Sequence, residues 1–449
     1  MTALSLRRPS AQTVLLVVAA LALLILVIEP GFLSFGRPSA PAFKLATPTT
    51  GAPLNYPDAL RRLDERVVDT REQVRKQGEE WLLLERLASA HMARARLTGS
   101  FDDYASAQDA LDRAFATAPQ GAGPHLTQAQ LAFGLHRLGK TEDMIRAIEH
   151  YAVPPEAETM AELSAMRGDL AFYRGDYATA RKLYMGRTRE QESTFRLAVY
   201  DGKTGQPGAA LALYEAIERQ TRFPSAGYLA NLALARGELE LQRGAWDKAA
   251  AQFDRADKVF PGNWLAAAHV AQMLALQGKR PEAIARLQAI AERSGAPEVM
   301  DALASIYRAQ GDAANSRAWA DRAGAIWARR LQLIPEAAWG HAIEHELAFG
   351  DPRRALEMAQ KDYAARPHGG TAIALGWALI ANNQPAEALK VIQPVLASAW
   401  VSPEQHLVAA QAYLLLGQPD AADREQQKAL KLNPKATDPA ASLIWFGHG

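Results

Sequence analysis

The chain has 449 residues, 49% of them hydrophobic, enough for a continuous core. Fifty Lys and Arg balance 49 Asp and Glu, and this net charge of +1 lacks the basic footprint expected of a nucleic-acid binder. The absence of cysteine excludes disulfides, thiolate metal sites, a cysteine nucleophile and a lipoprotein anchor. The first feature in chain order is an unbroken apolar run, Val14 to Ile28, behind Arg7 and Arg8. With its flanks at 11–13 and 30–35 it is just long enough to cross a bilayer, which takes ~20 residues. Residues 11–30 are read as a transmembrane helix, with 1–10 in the cytoplasm by the positive-inside tendency and the rest exported. That places the chain in the inner (cell) membrane as a single-pass protein with its bulk on the periplasmic side. A cleaved signal peptide is the rival reading, and it would leave a soluble periplasmic or secreted adaptor.

Residues 31–57 are rich in proline and poor in large apolar side chains, which suits a semi-extended tether. From Asp58 a charged helix begins. Leu60, Leu63, Val67, Thr70, Val74, Gln77, Trp81 and Leu84 alternate steps of three and four, a coiled-coil spacing with two polar defects. This stretch is expected to cap the array that follows; the alternative is self-association through 58–84.

Between residues 80 and 434 a pattern recurs. A helix-ending Gly stands at 99, 139, 175, 205, 244, 278, 311 and 350; Asn383 takes the next place and Gly417 the last. Asn is the usual substitute for Gly in a left-handed helix stop. Five residues beyond the marker comes a small residue: Ala180, Ala210, Ala249, Ala283, Ser316, Ala355, Ala388 and Ala422. Pro207, Pro281, Pro352, Pro385 and Pro419 open second helices, where the missing N–H costs nothing. The clearest unit runs from Leu229 to Pro261, with Gly237, Ala249 and Ala256 as points of close helix approach and Trp246 and Phe253 as bulk beside them.

A helix-turn-helix period near 34 residues with this small/large alternation resembles the tetratricopeptide repeat. The resemblance implies an all-α, right-handed superhelical solenoid of about ten repeats over 58–434, with a tail at 435–449. It also implies that first helices line a concave protein-binding groove. Candidate groove residues are Phe133, Asp169, Phe172, Phe195, Val199, Glu238, Gln272, Arg308 and Trp377. Ser305 falls at an equivalent position. The Lys/Asn/Arg clamp with which chaperone-binding members hold a terminal carboxylate is absent. So is the cysteine-rich rubredoxin-like module of one membrane-anchored type, although the layout is similar to bacterial membrane-anchored proteins of this class.

Chemistry is sparse. No Gly-rich phosphate loop, GxGxxG or GxSxG is present. His341, Glu344 and His345 spell H-x-x-E-H, and on a helix both imidazoles share a face. A zinc hydrolase is therefore the enzymatic alternative, but no third ligand is identifiable and the pair is read as solvated histidines on the repeat surface. The reading is a non-catalytic scaffold without cofactor or metal, with protein partners in assembly or maintenance of a cell-envelope complex. Leu443, Ile444, Trp445 and Phe446 form an apolar tag, expected either to cover the open edge of the last repeat or to dock on another protein.

Overall fold

The computed structural model describes residues 51–446 except 152 and 187–190. The apolar run at 14–28 lies outside the described residues, and among those described no helix is long and apolar enough to cross a membrane. Twenty-one α-helices make up the described chain. They are α1 Tyr56–Gln77, α2 Trp81–Thr98, α3 Phe101–Thr117, α4 His125–Gly134, α5 Leu138–Glu149, α6 Ala157–Tyr173 and α7 Tyr177–Met185. There follow α8 Gln191–Lys203, α9 Pro207–Gln220, α10 Ala226–Gln242, α11 Trp246–Val259, α12 Trp264–Leu276, α13 Arg280–Ser294 and α14 Pro297–Ala309. The last are α15 Ala313–Leu333, α16 Pro335–Phe349, α17 Pro352–Ala365, α18 Gly369–Ala381, α19 Pro385–Leu396, α20 Pro403–Leu415 and α21 Pro419–Leu432, before a 3-10 turn at Pro439–Leu443. From α2 on, even-numbered helices are the first members of pairs and odd-numbered helices the second.

The helix-ending residues work as the spacing suggests. Gly99, Gly175, Gly205, Gly244, Gly278, Gly311 and Gly417 have φ between +72° and +81°, and Asn383 joins them at +59°. A residue with a Cβ pays steric strain in that conformation, which Gly escapes and Asn tolerates. One marker needs correction, and another ends its helix without left-handed geometry. In the second pair the left-handed residue is His136 (φ 63°), while Gly139 sits inside α5. Gly350 has φ −115° and ψ −134°, so left-handed geometry does not require it. What requires it is Glu346: its carboxylate folds over the turn to accept from the Asp351 N–H at 2.8 Å, and a Cβ on Gly350 would meet that oxygen at 2.1 Å.

The small residue five positions on is buried in all eight units that carry it. Within pairs, bulk stands opposite glycine. A Cβ at Gly237 would fall 2.4 Å from the Phe253 ring, and one at Gly168 2.6 Å from the Tyr184 ring. Both rings are buried, so each glycine sets the approach of its two helices. At the amino end, Gly78 (φ 91°) divides the expected stripe: α1 stops at Gln77 and α2 starts at Trp81. Val67, Thr70 and Val74 are buried and Arg94 of α2 bonds Asp64 at 2.6 Å, so the stripe of α1 is spent on its own chain.

The pairs wind until the array touches itself, and four of these contacts share one step. His136, before α5, bonds the Glu336 carbonyl at the start of α16 at 3.0 Å. The Tyr177 hydroxyl, opening α7, accepts from the Gly369 N–H opening α18 at 2.9 Å. At the end of α8, Lys203 accepts through its carbonyl from the Val401 N–H before α20 at 2.8 Å, and Thr204 pairs with Val401 as an isolated parallel bridge. Each contact joins the turn inside one pair to the loop eleven helices on. The Tyr56 N–H bonds the Pro261 carbonyl at 3.0 Å, one such step from α1 to α12. Successive superhelical turns therefore rest on each other, and an aromatic seam of Phe172, Tyr177 and Trp400, with ring centroids 5.5 to 6.2 Å apart, fills the join.

Candidate protein-binding face

The winding decides where the candidate groove residues end up. Phe172 belongs to the aromatic seam. Phe195 is buried against Tyr214 with Val199 packed beside it, and Phe133 stands edge-on to Tyr173 at 5.6 Å. Trp377 is buried in the main core. Asp169 is buried where the Tyr184 hydroxyl (2.8 Å) and the Arg196 guanidinium (2.9 Å) donate to its carboxylate. Burial raises its pKa more than those partners lower it. Glu238 is buried 3.7 Å from His269 Nε2. Burial, only partly offset by the Lys203 ammonium, pushes its pKa up to about 8. Six of the nine positions, Asp169, Phe172, Phe195, Glu238, Gln272 and Trp377, are buried.

Two of them do meet, around the C-terminal segment. After α21 the chain does not stay on the edge of the last pair; its 3-10 turn packs against α12 and α14, and the extended residues beyond it lie on the first-helix face. The Gln272 side chain reads the backbone there. Its Oε1 accepts from the N–H of Trp445 (2.6 Å) and of Phe446 (2.8 Å), and its Nε2 donates to the Phe446 carbonyl at 3.0 Å. Trp445 Nε1 donates to the Ser305 hydroxyl at 2.7 Å. The indole stacks on Phe349 at 5.8 Å and 17°, and the Arg308 guanidinium lies over that same ring at 4.5 Å. Phe446 meets His269 edge-on at 5.7 Å, and His269 stacks on Phe253 at 4.1 Å. Gln272 and Ser305 occupy equivalent places in neighbouring first helices, which repeat spacing alone revealed. Phe349 and His269 fall outside the groove positions, and only their aromatic character marks them in the sequence.

His345 is not on a solvated surface, contrary to the sequence expectation, whereas His341 is partly exposed. His345 is buried, its Nδ1 2.7 Å from Asp301, which also accepts from Trp327 Nε1 at 2.8 Å. Its Nε2 lies against Gly324 of α15, where an added Cβ would stand 3.0 Å away. His341 bonds Glu344 at 3.1 Å and stacks on Trp327. Burial alone would lower the pKa of His345; the Asp301 carboxylate reverses this and raises it. Among the described residues no group of three or more His, Asp or Glu gathers as a metal site would require. The two histidines tie α14, α15 and α16 together.

Residues 406–435, the pair α20–α21, match the family model described as tetratricopeptide repeat. The chain carries the tetratricopeptide repeat. No curated protein matches it. Among solved structures it is similar to a tetratricopeptide repeat protein from Parabacteroides merdae, at 13% identity over 57% of this chain and 98% of that one, with a TM-score of 0.34. It is also similar to yeast Tom70, at 12% identity over 82% and 93% of the two chains and a TM-score of 0.33. A third is the human IFIT1 dimer with m7Gppp-AAAA, at 14% identity over 84% and 95% and a TM-score of 0.38.

Proposed function

We propose that this tetratricopeptide-repeat chain is a non-catalytic scaffold that binds extended segments of other proteins on its first-helix face, and that it does so tethered to the cell membrane by residues 14–28. The observation that supports binding is the seat of Trp445 and Phe446: an extended segment held through its backbone by one glutamine and through its rings by side chains of neighbouring repeats. Reading both backbone and aromatic side chains is how repeat surfaces recognise peptides without an enzyme's charge machinery. The tether rests on the apolar run behind Arg7 and Arg8. On that reading the repeats sit on the outer side of the membrane, where they serve assembly or maintenance of an envelope complex.

Chemical cross-linking in intact cells followed by capture from detergent-solubilised membranes tests the scaffold. The expected result is a reproducible protein partner whose yield falls in Gln272→Ala or Arg308→Ala while the melting curve holds. Equal yields from wild type and both variants would place binding elsewhere. Carbonate washing and protease digestion of spheroplasts test the tether: the chain should stay with the membrane and its repeats should be cut. A soluble mature chain beginning near Phe43 would overturn it.

A further inference from the structure

We infer that residues 443–446 are a ligand held in cis: the face formed by α12, α14 and α16 is a recognition site for an extended segment with two adjacent aromatic residues, and a partner segment of that kind exchanges with the chain's own tail. The inference rests on the binding role just proposed and names its ligand class and its resting state.

The contacts are those of a ligand rather than of a repeat. The segment beyond the 3-10 turn is extended and belongs to no helix pair, and Trp445 and Phe446 take their hydrogen bonds from Gln272 and Ser305, 173 and 140 residues from Trp445. The glutamine amide satisfies two adjacent backbone N–H groups and one carbonyl, a pattern indifferent to side-chain identity. Specificity comes from the two ring seats. One is polar at its end, because the Ser305 hydroxyl takes an indole N–H, and flat on its side, because Phe349 is braced by Arg308. The other is the edge of His269. Leu443, Trp445 and Phe446 are all buried, so the site is filled in the free chain. The segment that carries the tail is suited to exchange: Thr437 is exposed, and Pro434 and Pro439 bracket a turn with no helix in it.

The probe is a fluorescent peptide of this chain's own residues 439–449, PAASLIWFGHG. In the full chain carrying Trp445→Ala and Phe446→Ala the site is vacated, and the peptide should bind by fluorescence anisotropy. Wild type, with its tail in place, should bind about tenfold or more weakly. Adding Gln272→Ala should weaken binding to the vacated site about tenfold or more, and a peptide with both aromatics replaced by Ala should not bind. A vacated variant that stays folded by circular dichroism yet ignores the peptide overturns the inference.

A second measurement decides the matter if that variant unfolds. A protease site is inserted between Thr437 and Asp438 of the full chain, the tail is cut, and excess labelled peptide is added. Exchange of label into folded protein, detected by native mass spectrometry, supports the inference. A cut tail that never exchanges, or a chain that unfolds once cut, shows the tail to be a fixed part of the core and overturns it. Either failure leaves the scaffold reading to its own test: partner capture by wild type that falls in Gln272→Ala would still support it, whereas no capture by wild type together with no peptide binding would remove both.

Discussion

Gly175 and Gly278 hold nearly the same backbone conformation, φ +77° and +81°, in very different surroundings. Around Gly278 an added Cβ would meet nothing within 4 Å, whereas at Gly175 it would stand 2.8 Å from the carbonyl oxygen of Pro367, one superhelical turn away. An alanine at either site pays the left-handed strain, roughly 1–2 kcal/mol. Only at 175 must a backbone carbonyl also move, together with the start of α18 and the Tyr177–Gly369 bond beside it. Overpacking of that kind costs about 1–3 kcal/mol. Gly175→Ala should therefore lose more stability than Gly278→Ala by about that second amount. Urea unfolding followed by far-UV circular dichroism gives the difference. Small-angle scattering gives a second readout, because a forced-open join increases the radius of gyration in Gly175→Ala and leaves it unchanged in Gly278→Ala. Equal losses with equal radii would refute the idea that turns of the superhelix bear on each other at this place.

Four other outcomes follow from the same structure. Ala249 is fully buried, so Ala249→Phe should cost about 1–3 kcal/mol, and the transition should broaden or split because neighbouring repeats unfold semi-independently; an unchanged melt would mean the helix register is wrong. Phe172, Phe195 and Trp377 are buried, and their alanine variants should each lose about 3–5 kcal/mol of stability, whereas an undisturbed melt with impaired partner capture would make that aromatic a surface anchor. Glu238 has a folded pKa raised to about 8 from 4.5, so the folded state keeps a proton that the unfolded chain releases; its contribution is complete below pH 4.5 and is lost as pH rises through that interval. Glu238→Gln should flatten the fall in melting temperature between pH 5 and pH 8, and parallel curves for the two proteins would contradict this. His345→Phe should unlink Asp301 and destabilise the α14–α16 region without changing metal content; stoichiometric zinc in wild type that vanishes in the variant would revive the enzymatic alternative.

The repeat itself was legible in the sequence because its determinants are local. A left-handed stop needs Gly or Asn, a close helix contact needs a small residue at a fixed offset, and proline tolerates only the first turn, so period and register could be read from residue types alone. The one register error, Gly139 in place of His136, has the same origin. His136 adopts a conformation that its residue type does not advertise, and Gly350 is a glycine for a reason, the Glu346 carboxylate, that no spacing encodes. The face of a helix was also legible: Gln272 and Ser305 were placed on one face by period. What covers that face was not. The angle between successive pairs is a small quantity, and only its sum over eleven helices brings Tyr177 to Gly369 and Lys203 to Val401. Phe172 is covered by Trp400 only because that sum brings the two turns together. Whether a first-helix aromatic is groove or core, and whether Trp445 reaches Ser305 or hangs free, is therefore settled by accumulated geometry between residues some 140 to 200 apart, which no local pattern records.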